Sequence, residues 1–164
     1  KFEVRIDESD HFRENGADRV EFYFSANPGE AVRPLSKVAS GGEASRLMLI
    51  LKTAGKLRQS EKTAVFDEID IGIGGRVAEA VGRKLKSLAL SQQVFCVTHQ
   101  PQIASLADRH FVVEKHVEGS KTRISVRELA AAERIEELAR MLAGEQITEQ
   151  ARDNARAMLA AAGN

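Results

Sequence analysis

A single cysteine in 164 residues leaves no partner for an intrachain disulfide, so no disulfide framework defines this fold and a reducing compartment is expected. Cys96 lies inside an apolar run, where burial suppresses the thiolate, and reads as core filler. The chain has no net charge either, with 24 basic residues against 24 acidic ones. That excludes a global positive field drawing the chain to nucleic acid and leaves only local contacts. No apolar run approaches the ~18 residues needed to span a bilayer. The acidic, alternating first residues lack the form of a signal peptide, so a cytoplasmic protein with no membrane partner is expected. One further absence concerns phosphate binding. Gly-Lys occurs only at Gly55-Lys56, where Leu57 replaces the required Ser or Thr and Ile50 replaces the first glycine. There is no Walker A phosphate loop, and the chain cannot cradle a nucleoside triphosphate alone.

The length and a 43% hydrophobic content fit one domain with a real core. Phe2, Val4 and Ile6 alternate with polar residues, as do Val20, Phe22 and Phe24, which predicts a hairpin of half-buried strands around a polar loop at 8–18. Asn27-Pro28-Gly29 is turn chemistry, and Pro34 keeps the chain irregular up to Ser40. Leu47, Leu49, Ile50, Leu51 and Ala54 sit largely at helical spacing, predicting a helix over 43–58. An apolar strand at 63–66, a helix at 76–90 and a second apolar strand at 93–98 follow, a crossover that implies parallel pairing with right-handed connection. Beyond a short helix at 102–107 come strands at 110–115 and 122–129, reading as a hairpin, and then a helical end in which Gly144 breaks the run and Thr148 caps the last helix. The fold class is α/β: parallel strands with crossover helices, antiparallel hairpins and a helical carboxyl terminus. It divides as a hairpin region at 1–34, a core at 35–129 and a helical tail at 130–164.

Three motifs carry chemistry. Ser40-Gly41-Gly42-Glu43 opens a helix. Ser40 and Glu43 alone make a capping box, each satisfying an orphan amide. The two glycines add a second reading, because backbone without Cβ can approach an anion at an electropositive helix start. Both readings can hold together. Asp67-Glu68 ends the strand 63–66 as a Walker B pair would, at the carboxyl end of a buried strand where open α/β sheets bind ligands. The bland reading is a strand end entering solvent. In the functional one, Asp67 holds Mg²⁺ through water and Glu68 is the general base. His99 ends the neighbouring strand, either as a structural residue or as a γ-phosphate contact. After the acids, Gly72, Gly74 and Gly75 form either a turn into a helix or a loop that passes close to a partner's backbone. The basic side chains Arg76, Arg83, Lys84 and Lys86 read as the solvated face of their helix.

These stretches, with Ala44-Ser45-Arg46 after the first motif, Asp67 through Arg76 in the second and Val97-Thr98-His99-Gln100-Pro101-Gln102-Ile103-Ala104 in the third, closely resemble the carboxyl-terminal head lobe of the RecN family, bacterial SMC-like DNA repair ATPases of the ABC type. The likeness covers nearly the whole chain. It is most specific in the glycine run and the His-x-Pro-Gln stretch. Gly74 stands where many ABC ATPases have an aspartate between heads, so no acidic role is carried to that loop. Ala39 stands where a leucine commonly precedes the signature serine. The resemblance implies a head split by a long antiparallel coiled coil, with the Walker A lobe before the coil and this lobe after it. It further implies two heads sandwiching ATP with Mg²⁺, and DNA as partner in double-strand break repair and recombination. Glu68 and His99 would act in hydrolysis, Ser40, Gly41, Gly42 and Glu43 on the nucleotide of the opposite head, and Gly72, Gly74 and Gly75 between heads. Two alternatives stay open: a stand-alone metal-dependent hydrolase with Asp67, Glu68 and His99 as direct ligands, and a non-catalytic interaction module.

Overall fold

Alternation at the amino terminus produces an antiparallel ladder, β1 (Phe2–Arg13) against β2 (Gly16–Phe24), in a computed structural model that describes residues 1–14, 16–25, 29–38, 40–54, 63–118, 121–144 and 146–163. The register pairs Phe2 with Phe24, Val4 with Phe22 and Ile6 with Val20, so every apolar residue of the pattern meets another across the strands. The strands run further than expected into the polar segment at 8–18, with an irregularity between Glu8 and Arg13. Main-chain pairing has overridden the low strand propensity of that segment. Residues 33–38 also differ from the expected irregular stretch: β3 (Arg33–Pro34) adds an edge to β2, and a short helix α1 (Leu35–Val38) follows. Pro34 sits on that edge strand, where its missing N–H costs least. The Asn27-Pro28 turn and the Gly-Lys pair at 55–56 lie outside the described residues.

The part that positions the motifs is a strand–helix–strand unit. Helix α2 (Gly41–Ala54) leads to β4 (Ala64–Phe66), helix α3 (Gly75–Ala89) crosses over, and β5 (Val94–Cys96) pairs parallel to β4 in register Ala64 to Val94 and Phe66 to Cys96. Each strand is three residues long. Their inner faces, Ala64 and Phe66 with Val94 and Cys96, pack on a core of Leu49 from α2, Ala78, Val81, Leu85 and Leu88 from α3, Ile69 and Ile103. Their outer faces differ from a typical parallel sheet. Val65 is 69% exposed, and Phe95 and Val97 are exposed beside it. Such sheets are ordinarily covered on both sides.

Helix α4 (Pro101–Ala104), with proline in its first turn, precedes the hairpin β6 (Phe111–Glu118) and β7 (Lys121–Glu128). Its turn at Gly119 and Ser120 is outside the described residues. A second core joins Ala104 to Leu138 and Ala139 of α5 (Ala131–Ala143) and to Ala151, Ala155 and Leu159 of α6 (Glu149–Ala162). Small alanines let the two helices approach, and Gly144 ends α5 with a φ of 76°. Thr148 caps α6 by accepting the amide of Ala151 at 3.2 Å.

Candidate nucleotide-handling edge

The carboxyl ends of β4 and β5 and the amino end of α2 meet along one edge, and hydrogen bonds hold them there. The capping box forms as its spacing requires: the Ser40 amide donates to Glu43 Oε2 at 3.1 Å, and the Glu43 amide donates to Ser40 Oγ at 3.3 Å. Ser40 Oγ is the acceptor in that bond, so its own hydrogen points elsewhere. One turn on, Ser45 Oγ donates to the carbonyl of Asp67 at 2.9 Å. Arg46 Nη1 donates to the carbonyls of Ile69 and Ile71, each at 3.0 Å. Helix α2 thereby grips the loop after β4 at three carbonyls.

The glycines of the first motif are needed for this fit. A Cβ on Gly42 would stand 2.7 Å from the Glu68 carbonyl and 3.0 Å from the Arg46 guanidinium. A Cβ on Gly41 would collide with the Glu68 carboxylate. The general-base candidate therefore lies directly over the start of α2. Glu68 is also the one non-glycine residue at positive φ among the described residues, at 58°. L-residues seldom adopt that conformation, and it persists where surrounding contacts impose it. Here the imposing contacts are the turn bond from the Ile71 amide to the Glu68 carbonyl at 3.1 Å and the fully buried Ile69 that follows.

Asp67 is exposed at the strand end, and its Oδ1 accepts the Glu68 amide at 2.9 Å. Among the described residues no three His, Cys, Asp or Glu side chains are grouped to hold a metal ion. This corrects the alternative in which Asp67, Glu68 and His99 are joint ligands: the His99 ring turns to a different carboxylate. That carboxylate is Asp70, 2% exposed, whose Oδ2 lies 3.1 Å from His99 Nδ1 and accepts the His99 amide at 2.9 Å and the Thr98 hydroxyl. Burial raises the Asp70 pKa, but the Thr98 hydroxyl, the His99 amide and the His99 ring together outweigh it and hold the group below its ordinary value. A carboxylate with a depressed native pKa adds stability above its unfolded value and loses it as pH falls through the native one. The Asp70 tie is thus intact through the neutral range and is surrendered only in acid.

Gly72, at φ 72°, makes the turn out of the acid loop, Gly74 precedes α3 in extended conformation, and Gly75 begins the helix. Ser40, Gly41, Gly42, Glu43, Asp67, Glu68 and His99 thus belong to one edge, with the glycine loop leaving it. Asp70, Arg46 and Ser45 were not singled out from the sequence. A carboxylate between two isoleucines, Ile69 and Ile71, was the available signal for Asp70. Arg46 and Ser45 had none, because a helix pattern does not reveal which carbonyls a polar side chain will reach.

Cys96, on the inner face of β5, is free, and its thiol is pushed up to about 12 by burial and by the charges of Asp70 and Asp67. A thiol raised that far above its ordinary range has its thiolate fraction lowered on the order of 10³-fold. Alkylation by iodoacetamide at pH 8, followed by mass spectrometry, is expected to be about 10³-fold slower in the folded chain than in denaturant.

No protein-family model matches the chain. Three bacterial proteins, each named DNA repair protein RecN, are similar to it. The Halalkalibacterium halodurans protein is 46% identical over 96% of this chain and 29% of its own length. The Bacillus subtilis protein is 40% identical over 89% of this chain and 25% of its own. The Streptomyces coelicolor protein is 47% identical over 88% and 25%. Among solved structures, one from work on ATP-driven dimerization and DNA-stimulated activation of SMC ATPases overlays with a TM-score of 0.48 and 16% identity, covering 88% of this chain and 84% of that one. The chain belongs to the RecN family, of whose members it spans less than a third.

Proposed function

We propose that this chain is the carboxyl-terminal lobe of a RecN-type ATPase head, supplying the signature motif, the Walker B pair and the switch histidine to a composite ATP site. The observation that carries the reading is the meeting of Ser40-Gly41-Gly42, Asp67-Glu68 and His99 along one hydrogen-bonded edge, although 27 and 31 residues separate Ser40 from Asp67 and Glu68 from His99 in sequence. An amino-terminal lobe of the same protein, joined through a coiled coil, brings the Walker A loop. A second head completes each site, so the working unit is a homodimer. The exposed Val65, Phe95 and Val97 face supports a missing covering lobe, because a parallel pair this short does not stand with one apolar side bare.

The edge suits its ligands. The glycines put no Cβ on the α2 start, at the electropositive end of a helix, and the Ser40 hydroxyl can donate beside them. Asp67 has one oxygen engaged by the Glu68 amide and a second for Mg²⁺, a cation that keeps several waters and takes only one or two protein carboxylates. Mg²⁺ when bound neutralises phosphate charge and orients the transferring group. Glu68 takes the proton of the attacking water, and His99 meets the terminal phosphate. Through this cycle the protein acts on DNA in double-strand break repair and recombination, in the bacterial cytoplasm. No helix among the described residues is long and apolar enough to cross a membrane.

Calorimetry tests the division of labour. The chain alone is expected to bind no ATP at micromolar concentration, since the phosphate cradle and its lysine lie elsewhere. Mixed with or fused to a Walker A lobe of the same family it is expected to bind Mg-ATP and regain turnover. Micromolar binding by the chain alone would sink the composite-site reading.

A further inference from the structure

We propose that Asp70 is a positioning residue for His99, fixing its ring so that Nε2 is the atom presented at the edge. The inference rests on the reading of His99 as a switch histidine and adds to it the group that aims it. Asp70 is buried while the His99 side chain is 69% exposed, so the pair joins an anchored carboxylate to a ring facing solvent. One oxygen, Oδ2, accepts the Thr98 hydroxyl and the His99 amide and lies 3.1 Å from His99 Nδ1 as an ion-pair contact, so it faces both the backbone and the ring of the same residue. A carboxylate oxygen that close repels a ring nitrogen with a lone pair, so it favours hydrogen on Nδ1. The other nitrogen agrees: Gln100 Nε2, a donor, lies 3.4 Å from His99 Nε2. Both neighbours favour the tautomer with Nδ1–H and a bare Nε2, and the group that faces one ring nitrogen decides what the other can do. The ring so held presents Nε2 to a ligand at the edge, with the Asp70 carboxylate behind it.

Asp70 is itself held from both sides. The carbonyls of Ile69 and Ile71 are bound by Arg46, and Ile69 is fully buried. The orientation of His99 therefore traces back through the acid loop to the signature helix. A carboxylate that served the fold alone would need only the hydroxyl and the amide. The third contact, to the ring, gives it a part in the chemistry.

Nitrogen-15 spectra of the chain with labelled histidine, at mildly alkaline pH, are expected to show His99 in the Nδ1–H form. Asp70→Ala should move it towards the Nε2–H form that free histidine prefers. Asp70→Asn, which keeps the shape and removes the charge, serves the same comparison if the alanine variant does not fold. A wild-type His99 already in the Nε2–H form, or a tautomer unchanged in a folded Asp70→Ala, overturns the proposal. In a full-length RecN protein carrying this segment, Asp70→Asn is expected to lower kcat about tenfold or more with KM for ATP nearly unchanged, the usual scale for removing an orienting partner. The loss should vanish in a His99→Ala background. Equal losses in both backgrounds would mean that Asp70 acts through the fold, which also overturns the proposal. If His99→Ala leaves turnover untouched while the tautomer still depends on Asp70, the nucleotide role of His99 falls and the positioning stands.

Discussion

A full-length RecN protein with Glu68→Gln in this segment is expected to bind Mg-ATP, close its heads and remain closed, with turnover slowed by about 10²-fold or more. Glutamine keeps the size and polarity of the side chain over Gly41 and removes only the proton acceptor. Its backbone preferences at a φ of 58° are close to those of glutamate, so the replacement leaves the strained turn as it was. Size-exclusion chromatography with ATP should show a stable dimer. Asp67→Asn is the contrasting control: it weakens the charge that supports Mg²⁺ and should give a weaker dimer. A Glu68→Gln protein that hydrolyses ATP at the wild-type rate would remove the general base from the mechanism.

Gly42→Ala is expected to damage both stability and turnover, although alanine is the better helix former. Two effects oppose each other. Alanine in place of glycine inside a helix gains up to about 1 kcal/mol. The new methyl, however, stands 2.7 Å from the Glu68 carbonyl, a backbone atom that moves only if the acid loop moves. Overpacking of that kind costs about 1–3 kcal/mol, so the clash wins. The expected result is a lower melting temperature together with a loss of ATPase activity greater than the lost stability accounts for, because the displaced residue is the proposed general base. Gly41→Ala separates the two: its methyl meets the flexible Glu68 carboxylate, which can swing aside, so the chain should melt near the wild-type temperature while turnover still falls. A Gly42→Ala protein as stable and active as wild type would show that the close approach of helix and loop is dispensable.

The order of elements could be read in the sequence because each motif sat at a change of period. Leu85 and Leu88 at helical spacing, between the apolar strands expected at 63–66 and 93–98, gave the crossover and its parallel pair. Strand ends were less legible: Glu8 pairs with Asp18 and Arg13 with Gly16 across the first hairpin without any alternating apolar signal, since main-chain bonds need none. The edge was legible through residue types whose chemistry is unusual at a strand end, the adjacent acids and the histidine. The ties within it were not. Ser45 and Arg46 reach carbonyls, which every residue has, so no pattern of side chains could foretell their targets. Asp70 resembled another loop acid until its surroundings showed it buried.

The ties across the edge also bear on how the chain folds. The Ser45 to Asp67 bond joins residues 22 apart, and the Asp70 to His99 amide bond joins residues 29 apart. By contrast, β1 pairs with β2 and β6 with β7 across short turns, where little loop entropy is lost. Contacts between distant residues form late, after local ones have shortened the chain. Hairpins and helices can thus be present before the carboxylates, the histidine and the glycine start of α2 come together. The strained Glu68 turn is expected to be imposed with that last step, so that the candidate edge is acquired together with the final cooperative part of folding.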